Sequence, residues 1–158
     1  MPTIEALALV TNQGKARIAS MLATGKSFVV DTFVIGSNGH DPADPTLALT
    51  PDPARTGCYC GPLGAPAESI SVLGGCSLVD TIDAVSFASF SCPVFTAVVA
   101  PGEATGAVSS VCLLGTVSYS PIPGDPEIGL KFVFAIANFP LKYKVPGDRF
   151  TYEIFCQL

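Results

Sequence analysis

The sequence predicts a mainly β protein: an antiparallel β-sandwich with one short N-terminal helix and a long Pro-rich loop or arm at about 37–68. Three observations lead there. Runs rich in β-branched and aromatic residues recur along the chain, punctuated by Gly and Pro. Only one early stretch has helical spacing, so strands and helices do not alternate as a parallel sheet requires. No internal repeat is evident, and 158 residues suffice for a single domain, 1–158, with its own core.

The elements follow in order. Thr3 to Val10 is mostly apolar and predicts a first strand. Thr11-Asn12-Gln13-Gly14 supplies N-cap chemistry, because a short side-chain oxygen can accept from the orphan amides of a first helical turn. Ile18, Met21 and Leu22 then fall at i, i+3 and i+4, one helix face, and Gly25 is a natural stop. Ser27 to Gly36 is a strand with a turn behind it.

Residues 37–68 differ in kind. Pro42, Pro45, Pro51, Pro53, Pro62 and Pro66 punctuate them, and no apolar period survives, which predicts a loop or extended arm. His40, Asp41, Asp44 and Asp52 lie in it. A cation site there is weighed against ordinary turn chemistry, and the solvated loop is preferred. Short β pieces resume at Ile70–Leu73 and Leu78–Asp83. Val85–Cys92 and Phe95–Ala100 follow on either side of Pro93, and then Ala107–Tyr119, with Gly115 a candidate bulge.

The last third, Glu127 to Leu158, has the densest β-favouring composition. It predicts two strands joined by a proline-marked crossover, forming a core hairpin. In the final strand Phe150, Tyr152, Ile154, Cys156 and Leu158 share one face, with Thr151, Glu153 and Gln157 opposite. Phe155 interrupts the polar face, which marks it for cover by another element or a partner.

Composition excludes several functions. Eight Lys and Arg against thirteen Asp and Glu, with no basic run, leave nothing to neutralise phosphates, so no nucleic-acid partner is expected. Mean hydropathy is +0.51, yet the uncharged stretches 84–102 and 104–124 contain Pro, Gly, Ser and Thr. Buried strands explain them better than a membrane span. No secretory signal is visible at Met1-Pro-Thr-Ile-Glu5. The six cysteines are therefore expected reduced, Cys92, Cys112 and Cys156 packing as small apolar residues. Cys58-Tyr59-Cys60 lacks the spacing and second pair of a zinc site, so no metal and no cofactor are expected. One His in a loop, no nucleophile elbow and no phosphate-cradling loop predict a non-enzyme without catalytic residues. The carboxylate pairs Asp80/Asp83 and Asp125/Glu127 sit beside turn residues, where exposed acids are common.

Two stretches resemble a known family. Val10 to Gly36, a threonine-capped helix leading into a strand that ends in glycine, is similar to the N-terminal attachment domain of bacteriophage tail-collar and tail-fibre proteins. Phe132-Val-Phe-Ala-Ile-Ala-Asn-Phe-Pro-Leu-Lys-Tyr-Lys144 resembles the strand near that domain's end, and Gly106 to Gly115 loosely resembles the strand before it. The family's fibres continue into a shaft and tip, whereas this chain stops at Leu158. The resemblance thus implies a virion structural protein of the tail region, made in the bacterial host cytoplasm: a tail, collar or baseplate adaptor or fibre-attachment subunit. It would form a homo-oligomer and contact other phage virion proteins. A capsid decoration protein or a carbohydrate-binding β-domain is the alternative.

The charged fraction, 13%, is about half the globular norm, which suits a subunit that buries part of its surface against partners. Lys142, Tyr143, Lys144 and Phe155 are the candidate interface residues. Alternation puts both lysines on one strand face and Tyr143 on the other, for docking to an acidic neighbour or for protecting an edge. The 37–68 arm is a second candidate contact.

Overall fold

The structure, a computed structural model, describes residues 2–59, 77–79 and 82–158. Among these, the elements are β1 Thr3–Val10, α1 Asn12–Thr24, β2 Ser27–Gly36, β3 Ser77–Val79, β4 Ala84–Ser89, β5 Cys92–Val99, β6 Gly106–Tyr119, β7 Lys131–Lys144 and β8 Phe150–Cys156. The chain is mainly β with one helix, but the expected antiparallel sandwich is not what forms. All eight strands belong to one sheet, in the order β3-β2-β6-β7-β1-β8-β5-β4. The sheet is mixed, because β1 runs parallel to β8 from Thr3↔Thr151 to Ala8↔Cys156.

Chain length forces the curl of this sheet. β3 and β4 are its opposite edges, yet only residues 80–83 connect them. Seven strand spacings would separate the edges of a flat sheet by about 34 Å. Five Cα steps from Val79 to Ala84 reach at most about 19 Å. The sheet therefore bends into a half-barrel, and its concave side closes on a core containing Phe33, Leu113, Ala135, Phe95, Tyr152 and Ile154.

β1 is the seam of this bend. Its first six residues pair with β8, and its last two, Leu9 and Val10, pair antiparallel with Ile136 and Ala135 of β7. The expected hairpin of the last third is thereby corrected: β1 lies between β7 and β8. Periodicity within the final strand survives, since Phe150, Tyr152, Ile154 and Cys156 are buried and alternate with half-buried Thr151, Glu153 and Phe155, whereas Leu158, expected on the same face, lies past the strand and is exposed. Pro140 lies inside β7, where the ladder with β6 slips between Val108 and Ser110, a position that tolerates a missing donor. Pro93 likewise lies inside β5, opposite Phe87, beside the bulge at Ala88.

The helix is anchored by its first turn. Thr11 caps it, accepting from the Gly14 amide, and Gly25, at φ 76°, ends it with its N–H on the Met21 carbonyl. The predicted Ile18/Met21/Leu22 face is only partly right. Ile18 packs on the core, but Leu22 is exposed, because the sheet is approached at Gly14 and the last turn projects past it. The candidate bulge is displaced from Gly115 to its neighbours, where Asp31 of β2 and Phe134 of β7 are the extra residues. Gly115 instead gives room to the Phe132 ring, which a Cβ there would meet at 2.5 Å.

β2, β6 and β7 are apolar on both faces for a visible reason. Their outer face carries the row Val34, Cys112 and Ile136, with Leu114 and Val133 beside it, and Cys58 and Tyr59 lie over it as a second core. Residues 37–59 are thus a packed cover rather than a free arm; 60–68 lie outside the described residues. Backbone bonds from Leu141 N–H to Pro45 O and from Asn12 N–H to Pro53 O hold the cover down, and Asn38 N–H to Tyr59 O joins its two ends. Arg55 stiffens it by donating to the Gly57 and Cys58 carbonyls with its guanidinium 3.8 Å over the Tyr59 ring.

Candidate functional site

Three surfaces carry chemistry. The first is the end of β7. Lys142 and Tyr143 are exposed, but Lys144 is only 1% exposed. Its ammonium donates to the Ala100 carbonyl at 2.8 Å and lies 5.9 Å from the Phe150 ring centre. The two lysines therefore do not share an accessible face, because the end of β7 folds onto the start of β8. Phe155 is half-buried in an outer row between Leu7 and Val94. Five residues, about 17 Å of strand, separate it from Phe150. The structure thus does not gather Lys142, Tyr143, Lys144 and Phe155 into one patch.

The second is a charged cluster where α1 meets the β6–β7 loop. Arg17 pairs with Glu127, and Lys26 lies 2.8 Å from Asp125 and 3.5 Å from Glu127. The Lys26 ammonium, then the Glu127 amide and the Ser120 hydroxyl, hold the Asp125 carboxyl at about 2. Glu127 is lowered as well, first by Arg17. Nearby, Lys131 reaches Asp31 at 3.4 Å and the Thr32 and Thr116 hydroxyls at 3.2 Å. A cleft of about 350 Å³ lies alongside, lined by Gln13, Arg17, Ser20, Leu130, Lys131 and Phe132. Arg17 covers Phe132, at 5.5 Å from its ring centre, and is itself paired, so the cluster ties the helix to the loop.

The acids of the cover loop have local work. Asp41, Asp44 and Asp52 each accept the amide two residues on, in Ala43, Thr46 and Ala54. His40 Nδ1 lies 3.0 Å from the Ser109 hydroxyl, which also accepts from Gly39 N–H. Ser109 is wholly buried, so this histidine–hydroxyl contact fastens the loop to β6. Asp83 accepts from Val98 N–H; Asp80 lies outside the described residues.

The third surface is the β4 edge, which sequence reasoning missed. All six β4 residues are exposed, and among the described residues its outer edge has no strand partner. Val85 stands in the row of Phe95 and Ile154, so it and Phe87 belong to the core-facing side, yet they are 53% and 71% exposed. Phe90 in the following turn is fully exposed, and Phe87, Ser89 and Phe90 line an open apolar hollow of about 600 Å³. No charged residue occurs between Ala84 and Pro101. That absence was the available signal, together with the Val85-Ser86-Phe87 alternation.

No helix among the described residues is long and apolar enough to cross a membrane. No family model, curated protein or solved structure matches the chain.

Proposed function

We propose that this chain is a non-enzymatic structural subunit of a bacteriophage virion, a tail, collar or baseplate adaptor or fibre-attachment subunit that assembles with copies of itself and with other virion proteins. The β4 edge carries the reading. An uncharged strand and turn that present Phe87 and Phe90, without a lysine or proline at an edge that has no strand partner among the described residues, lack the usual defences against strand pairing. Such a surface suits a subunit that completes its core on assembly. The low charge and the resemblance of residues 10–36 and 132–144 support the same reading.

The test is the mass of the purified chain at micromolar concentration, combined with a search for it in purified particles. An oligomer, and the chain's presence in particles, are expected. A monomer absent from particles overturns the proposal. Binding of the isolated chain to a glycan array moves the reading to a carbohydrate-binding domain.

A further inference from the structure

The second core holds two thiols that sequence separates by 54 residues, from 58 to 112. Cys112 lies on the outer face of β6 between Val34 and Ile136, and Cys58 belongs to the loop that covers this row. Both are almost wholly buried, and both are free. The two side chains belong to one buried cluster with Val34 and Ile136, so the cover packs Cys58 onto the row that holds Cys112.

We infer that Cys58 and Cys112 form an oxidative cross-linking site whose co-reactant is a small-molecule disulfide. One protein thiolate attacks a sulfur of that disulfide and releases one small thiol, leaving a mixed disulfide on the protein. The second protein thiolate then attacks the protein sulfur and expels the other small thiol. Two cysteine thiols are oxidised to one disulfide, and the small disulfide is reduced to two thiols. The product staples the 37–59 cover to β6. Burial, and then the adjacent Cys58 thiol, push the Cys112 thiol well up, so the exchange is slow while the cover is closed. The chain thus folds reduced and is locked when the surroundings turn oxidising.

The other described pair is an internal contrast. Val94↔Phe155 sets the β5–β8 register, which puts Cys156 opposite Pro93 and Cys92 opposite Gln157. Neighbouring positions on a strand point to opposite faces, so Cys92 and Cys156 are close but aimed apart. Neighbouring Cys92 adds to the burial that pushes the Cys156 thiol up to about 12.

The inference needs only the isolated chain and does not rest on the virion reading. The whole chain is treated with oxidised glutathione, blocked with iodoacetamide in denaturant, and cleaved after glutamate without reduction. Glutamates at 68, 103, 127 and 153 put Cys58, Cys92, Cys112 and Cys156 on four separate fragments. The expected product joins fragments 6–68 and 104–127, fragmentation of which assigns the bond to Cys58 and leaves Cys92 and Cys156 alkylated. Tm rises by roughly 5–10 °C and dithiothreitol reverses the rise. An alkylated Cys112, a bond from Cys58 to Cys60 or Cys76, or a cross-link without a Tm rise overturns the inference.

Discussion

The hydroxyl of Thr11 donates to the carbonyl of Val133 at 2.6 Å, across 122 residues, while accepting from the Gly14 amide at 3.0 Å. One buried side chain thus starts the helix and locks it to β7 at the Phe134 bulge, where the Thr11 amide also donates to the Phe134 carbonyl. Thr11→Val keeps the shape but removes both side-chain bonds. It should cost about 2–3 kcal/mol, the sum of a lost N-cap and an unpaired buried carbonyl. Thr11→Ser keeps the hydroxyl and should cost under about 1 kcal/mol. Urea unfolding of the two variants checks the difference.

Gly14 makes the same junction possible by having no side chain. A Cβ there would meet the Phe134 carbonyl oxygen at 2.4 Å and Val10 at 3.0 Å. In an exposed helix, Gly→Ala would gain about 1 kcal/mol. Here Gly14→Ala should instead destabilise by about 2 kcal/mol, because backbone must move to admit the methyl. A stabilised variant in the same unfolding experiment would contradict the close approach.

These junction residues show what was legible in the chain. Thr11 and Gly25 were readable as helix ends, and the Phe150–Cys156 alternation as a half-buried strand, because caps and periods are local. That β1 enters between β7 and β8 was not readable, since an apolar strand does not name its partners. Nor was the cover: its attachments, Ser109 to Gly39 and Asn138 to the Leu49 carbonyl, are single polar contacts without a period. The shared lysine face was misread for a related reason. Alternation gave Lys142 and Lys144 one side, but the approach of β8 decides which of them reaches water.

The Asp125 carboxylate makes stability fall in acid. Its folded value, about 2, lies below the ordinary 3.8, with Lys26 the largest cause. Between those values the unfolded chain binds more protons, so the contribution is whole above about pH 4 and is lost as pH falls toward 2. Glu127 is shifted in the same direction. Tm should hold between pH 7 and 5 and drop below 4. Asp125→Asn should lower Tm at pH 7 and flatten the acid limb, as differential scanning calorimetry across pH will show.

Lys144 should tolerate loss of its charge better than loss of its length. Its ammonium is buried against the Ala100 carbonyl and the Phe150 ring, and among the described residues no carboxylate pairs with it. Lys144→Met keeps the stem and sheds the desolvated charge, so stability should stay within about 1 kcal/mol of the parent or rise. Lys144→Ala opens a gap over Phe150 and should cost about 2 kcal/mol. Exposed Lys142→Ala should change stability by under about 0.5 kcal/mol. Thermal melts of the three variants order them.

The β4 edge separates assembly from folding. Phe87 and Phe90 are exposed, so Phe87→Lys and Phe90→Lys should shift folding stability by under about 0.5 kcal/mol. A lysine on an open edge must be desolvated before another strand can pair there, which opposes association. Filling the hollow between Phe87, Ser89 and Phe90 is the apolar contribution each variant removes. Self-association at micromolar concentration should therefore weaken at least about tenfold, as for loss of a central aromatic anchor. Lys142→Glu and Tyr143→Ala at the end of β7 serve as the contrast. If those variants dissociate the oligomer while Phe87→Lys leaves it intact, by sedimentation velocity, the assembly surface lies on β7 and the β4 reading is wrong.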